Sequence, residues 1–178
     1  KAKGQRVFIR ADLNVPINEG YEVTDTTRID RLKPTIDYLV QQGARTVILS
    51  HFGRPGGEKK KAYSMAFMVP LLKDSWGIDV AFSEDCIGTP AQAVKNGLKD
   101  GQVGLLENVR FHKGEEANDL AFTKELAKLG EIYINDAFSA AHRAHASTEG
   151  LAHMMPSGAG FLMEAELKAL EAALELSL

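Results

Sequence analysis

Apolar residues in this chain fall into short unbroken runs, separated by longer stretches where they recur every three or four positions. The runs are RVFIR (6–10), RTVILS (45–50), DVAF (79–82), VGLLEN (103–108) and EIYIND (131–136). Continuous runs of this kind, rather than strict in/out alternation, mark strands covered on both faces. The stretches between them carry helical spacing. Thr26 or Thr27 is expected to cap a helix that runs to about Gln42 and closes at Gly43, with Pro34 bending it or marking its start. Ser64 is expected to cap a second helix over 65–76, closed by Gly77, and others cover about 90–98, 119–129 and 164–176. Strand–helix–strand alternation predicts an α/β fold: a single domain with a three-layer α/β/α, Rossmann-like parallel sheet and right-handed crossovers.

Composition narrows this picture without changing it. The chain has 178 residues, 44% of them hydrophobic and 25% charged, which suits one domain with a full core. A formal charge of -3 supplies no basic field for nucleic acid or anionic lipid, so neither is an expected partner. Nothing approaches the ~18 consecutive apolar residues of a membrane span. The single cysteine, Cys86, excludes an internal disulfide, favours a reducing compartment such as the cytoplasm, and reads as a small packed hydrophobe. The chain enters a strand almost at once and stops inside a helical pattern, so both ends read as cuts through something longer. The segment GRPGGEKKKAY (53–63) reads as a solvated loop.

In open parallel sheets, ligands bind beyond the carboxyl ends of the strands. The residues just after each run are therefore informative. Arg10, Asp12 and Asn14 come after the first, His51 and Arg54 after the second, Arg110 and His112 after the fourth, and His142, Arg143 and His145 after the fifth. Arg28 opens the first helix. Of eight arginines, four (Arg28, Arg54, Arg110, Arg143) thus fall at or near one rim. Guanidinium groups brought together repel one another unless an anion joins them, and their planar fork matches phosphate and carboxylate. The expected ligand is a small polyanion such as a phosphorylated carboxylic acid. The alternative is structural: each arginine pairs with a nearby carboxylate, for which Glu107, Glu115 and Asp136 are candidates. Gly53 would let backbone approach a ligand between His51 and Arg54. His112 and His153 read as structural, and His142 with His145 falls short of a zinc motif. The phosphate-cradling G-x-x-x-x-G-K-[ST], the dinucleotide G-x-G-x-x-G and the G-x-S-x-G elbow are all absent.

The motif VFIRADLNVP (7–16) resembles the signature of the phosphoglycerate kinases. The resemblance continues in order through TRI (27–29), SHFGRP (50–55), LLENVRFHKGEE (105–116), YINDAFSAAHRAHAST (133–148) and GFLMEAEL (160–167). It implies the N-terminal, 3-phosphoglycerate-binding domain over 1–163, with 164–178 beginning an interdomain helix. It also implies a monomeric parent whose missing C-terminal half binds Mg-ATP or Mg-ADP; this chain alone is expected to bind no cofactor and to be inactive. By resemblance, Arg54, Arg110 and Arg143 hold the phosphate of 3-phosphoglycerate or 1,3-bisphosphoglycerate, with His51, Phe52 and Gly53 alongside. Asp12 and Asn14 meet the hydroxyl and carboxylate end, Arg28 lies by the attacking carboxylate as the catalytic residue, and His142 orients Arg143. Arg10 is expected to anchor the strand end by a salt bridge instead. Ser139, Phe52 and Ala165 depart from the commoner glycine, leucine and lysine. A rival reading, from another class, is a non-catalytic folding or interaction module with a vestigial anion site.

Overall fold

The computed structural model describes residues 3–137 and 144–159. The expected helix at 164–176, the boundary at 163/164, and Ser139, His142, Arg143 and Ala165 lie outside them. Among the described residues there are six strands: β1 (Arg6–Ala11), β2 (Arg45–Leu49), β3 (Val80–Ser83), β4 (Val103–Leu106), β5 (Ile132–Asp136) and β6 (Ser157–Ala159). They form one sheet in the order β3-β4-β2-β1-β5-β6, with every pairing parallel. The first five are the apolar runs. The sixth, SGA, has no apolar run to announce it and, among the described residues, pairs with β5 alone.

Helices cover both faces. Among the described residues they are α1 (Thr27–Gln41), α2 (Met68–Trp76), α3 (Gly88–Gly97), α4 (Lys113–Glu116), α5 (Leu120–Ala127) and α6 (Leu151–Met154). Successive residues of β1 point to opposite faces, as strand geometry requires. Ile9 joins a core with Ile48, Ile29, Leu32, Ile36, Leu72 and Trp76, whereas Phe8 joins a second core with Val47, Leu49, Leu106, Phe122 and Leu126. The three-layer expectation therefore holds.

Pro34 lies inside α1 and does not mark its start. Ile29, Leu32, Ile36 and Leu39 are all buried along one stripe of α1. At roughly 1.5–3 kcal/mol per buried side chain, that stripe outweighs the ~3 kcal/mol penalty of an interior proline. The cap also differs from expectation. Thr26 occupies the N-cap position but makes no capping bond; Asp25 Oδ1 accepts the Thr27 N–H at 2.8 Å instead. Elsewhere the caps are as read. The Ser64 hydroxyl accepts from Ala66 N–H at 3.2 Å, through a 3-10 turn that leads into α2, and Gly77 closes α2 with a φ of 67°. The Trp76 indole N–H donates to the Ile29 carbonyl at 3.0 Å, tying α2 to α1. Cys86 is fully buried, as a packed hydrophobe should be, and burial pushes its thiol pKa well up. Among the described residues no helix is long and apolar enough to cross a membrane.

Candidate functional site

Because all strands run the same way, their carboxyl ends share one rim. The alternation beyond β1 builds that rim. Leu13 and Val15 turn into the core, leaving Asp12 and Asn14 half-buried at the surface between them. The Leu13 N–H is fastened to Ser50 Oγ at the end of β2, at 3.0 Å.

Asn14 is the hub. Its backbone N–H donates to Asp12 Oδ1 at 3.1 Å, its side-chain Oδ1 accepts the Gly53 N–H at 2.9 Å, and its carbonyl accepts from Arg28 Nη1. The same Arg28 nitrogen lies 3.2 Å from Asp12 Oδ1. Arg110, buried after β4, sits in the 3-10 turn Val109–Phe111, and its Nη1 donates to the Gly53 carbonyl at 3.5 Å. Asn108 holds that turn. Its Oδ1 accepts the Arg110 N–H at 3.0 Å, while its amide donates to the carbonyls of Phe52 and Tyr63 at 2.7 and 3.0 Å. Arg54 is exposed beside Gly53 and has no hydrogen bond or ion pair among the described residues. Asp12, Asn14, Arg28, Gly53 and Arg110 are thus linked directly, with Arg54 adjacent in the chain. A cavity of about 680 Å³ opens among Asn14, Arg28, Phe52, Gly53, Tyr21 and Tyr63.

Several readings change in detail. Gly53 adopts a φ of 63°, and a Cβ there would lie 2.4 Å from Tyr63 Cδ1, so packing against that ring already demands glycine. Phe52 is a core residue, its ring 5.0 Å from that of Phe67 in an edge-on contact. Among the described residues, Arg10 anchors the strand end without a salt bridge. Its partners are the Ser147 hydroxyl, the Ala11 carbonyl and His51 Nδ1. His51 is buried, with that nitrogen 2.8 Å from the guanidinium.

The carboxylates proposed as alternative partners have other work. Glu107 accepts from Ser64 Oγ and the Met65 and Asn108 N–H groups at 2.6, 2.7 and 2.9 Å. Glu115 accepts from Ser147, and Asp136 from the Thr35 hydroxyl at 2.8 Å. Burial lowers the His145 pKa, although Glu115, 3.8 Å from Nδ1, pulls the other way. Tyr63, Tyr21, Ser50 and Asn108 were not expected at the site. Of these, Ser50 and Asn108, each a polar residue ending an apolar run, carry a sequence signal.

His112 is structural, as read: its Nε2 lies 2.7 Å from Asp85 Oδ1 and its ring stacks on Phe122. Burial alone would raise the Asp85 pKa, but the His112 hydrogen bond and charge, with the Cys86 and Ile87 N–H groups, hold it below its usual 3.8. A depressed carboxyl stabilises above the unfolded value and loses that contribution as pH falls through the folded one. Asp85→Asn is therefore expected to lower stability at neutral pH by at most about 1 kcal/mol, since the pair is partly exposed. The gap to wild type should close below about pH 4; denaturation curves at pH 7 and pH 3 check this.

Asp85, Cys86 and His112 are also the one group among the described residues whose ligand atoms lie within 4.8 Å of one another. A sulfur and an imidazole do not suit Mg²⁺, which takes oxygen ligands. No other group of three such donors lies as close together among the described residues.

A family model described as phosphoglycerate kinase matches residues 1–177. Among curated proteins, the phosphoglycerate kinase of Rhodospirillum centenum is 56% identical over 171 residues, which is 96% of this chain but 43% of that protein. The one from Allorhizobium ampelinum is also 56% identical, over 96% of this chain and 42% of its own length. The solved structure of phosphoglycerate kinase from Coxiella burnetii superposes with a TM-score of 0.86 at 40% identity, covering 97% of this chain and 43% of that one. The chain therefore spans less than half the length of the relatives it matches.

Proposed function

The chain belongs to the phosphoglycerate kinase family, and from that premise we propose that it carries the acid-substrate site of such a kinase, binding 3-phosphoglycerate or 1,3-bisphosphoglycerate at the described rim. The observation that carries the reading is the convergence on Asn14 and Gly53: Arg28 reaches the first, and Arg110 the carbonyl of the second, from separate elements. Arg54 and Arg110, with Arg143 and His51, take the phosphate; His142 orients Arg143. Asp12 and Asn14 meet the hydroxyl and carboxylate end, and Phe52 and Gly53 form the wall between.

Arg28 is the catalytic residue in this reading. It now rests on Asp12 and the Asn14 carbonyl. An incoming substrate carboxylate offers it a second anionic partner, and its charge then offsets the negative charge brought together as the carboxylate attacks a phosphoryl group. The nucleophile is already ionised, so no general base is needed. In the whole protein, Mg-ATP held outside this set of residues supplies the phosphoryl group. The reaction proposed for the whole protein is reversible transfer to give 1,3-bisphosphoglycerate and ADP, in the cytoplasm.

Calorimetry with 3-phosphoglycerate tests the binding step. Loss of a charge-assisted contact costs about 1.5–3 kcal/mol, so Arg110→Ala and Arg54→Ala are each expected to weaken binding roughly 10- to 100-fold. No heat at millimolar ligand, or affinities untouched by both substitutions, would defeat the reading.

A further inference from the structure

We propose that Arg10 is a positioning residue that fixes His51 as the Nε2–H tautomer, so that the imidazole meets the ligand as a hydrogen-bond donor. The role rests on the anion-site reading above for its ligand, but not for its geometry. Arg10 is fully buried and, among the described residues, the bulkiest side chain that is so. Its fork is committed on three sides: Nε donates to Ser147 Oγ at 2.8 Å, Nη1 to the Ala11 carbonyl at 2.6 Å, and Nη2 faces His51 Nδ1 at 2.8 Å. A guanidinium only donates. His51 Nδ1 must therefore offer its lone pair, which puts the ring proton on Nε2, the opposite side of the ring.

The arrangement is itself braced. The Ser147 hydroxyl that accepts from Arg10 donates onward to Glu115 Oε2 at 2.6 Å, and the Ser147 N–H donates to Oε1 at 2.8 Å. Glu115 is fully buried as well. A buried cation and a buried anion are thus joined through one hydroxyl, and the resulting chain runs from α4 through Ser147 and β1 to the end of β2. The tautomer matters because phosphate and ionised carboxylate oxygens only accept. The other neutral tautomer would turn a lone pair toward them. A donor imidazole also adds a hydrogen bond without adding a further charge to a rim that already holds Arg28, Arg54 and Arg110.

Long-range ¹H–¹⁵N correlation spectra of the unligated chain at neutral pH test the assignment directly. The expected result is a pyrrole-type Nε2 and a pyridine-type Nδ1 for His51. A proton on Nδ1, alone or together with one on Nε2, overturns the proposal, and no variant need fold for that outcome to be read. In Arg10→Met, the pattern should change to a mixture of tautomers, and 3-phosphoglycerate affinity should fall by about tenfold. The same substitution made in His51→Ala should have little further effect. An equal loss in both backgrounds would show that Arg10 does not act through His51. Because the spectra are taken without ligand, failure of 3-phosphoglycerate to bind would defeat the anion-site reading while leaving the tautomer measurement to stand or fall separately.

Discussion

Gly53→Ala is expected to lower stability by about 2–4 kcal/mol and to remove most 3-phosphoglycerate binding. Two costs add. A φ of 63° is a left-handed conformation, which costs a side-chain-bearing residue about 1–2 kcal/mol. The new methyl would also lie 2.4 and 2.5 Å from Tyr63 Cδ1 and Cε1. Those atoms belong to a ring that leans on Phe52 and follows a backbone held by Asn108, so it cannot simply swing aside. Relief must come from the loop itself, which carries the N–H bound by Asn14 and the carbonyl reached by Arg110. Gly56→Ala is the matched control. Gly56 has a φ of 77° but nothing within 4 Å of its would-be Cβ, so it meets the backbone cost alone. Urea denaturation and calorimetry on both variants should separate them; equal losses would remove Tyr63 from the explanation.

Glu115→Ala is expected to cost about 3–5 kcal/mol, the usual penalty for stranding one partner of a buried charged pair. The substitution takes away the acceptor of both the Ser147 N–H and its hydroxyl, and leaves the Arg10 guanidinium with no buried anion at the end of its chain. Glu115→Gln should be milder, because its amide oxygen still accepts from Ser147. The denaturation midpoint should fall at constant slope if only stability changes. A loss below about 1 kcal/mol for Glu115→Ala would mean that water or a rearranged Ser147 compensates the cation.

The layers of the fold were legible because parallel strands buried on both faces leave unbroken apolar runs, and five of these stood out. β6 did not, since Ser157, Gly158 and Ala159 bring no apolar signal and gain their place only by pairing with β5. The rim was legible for a related reason: Asp12 and Asn14 alternate with Leu13 and Val15, so a strand-like period survives past the strand and sorts polar from apolar. Partners were not legible. Nothing local says that Arg10 meets a serine and a histidine far along the chain rather than a carboxylate, or that Asn14 turns its oxygen to Gly53. Those contacts are set by which strands lie side by side. The displaced cap at Asp25 is a smaller case, in which two adjacent residue types compete and the backbone angle at Thr26 decides.

The strand order has a consequence for the route to the folded state. β1 lies between β2 and β5, with Val7 opposite Thr46 on one side and Ile132 on the other. One seam can close after a short stretch of chain, but the other waits for nearly the whole domain to be present. Closing so long a loop delays the gain in free energy from pairing. Until β5 docks, β1 is an open, apolar edge able to pair with a neighbouring molecule. Arg10 likewise waits for Ser147, which lies beyond β5. The rim is therefore among the last parts of the molecule to assemble, and conditions that slow the docking of β5 should raise the yield of aggregates before they touch the stability of the finished fold.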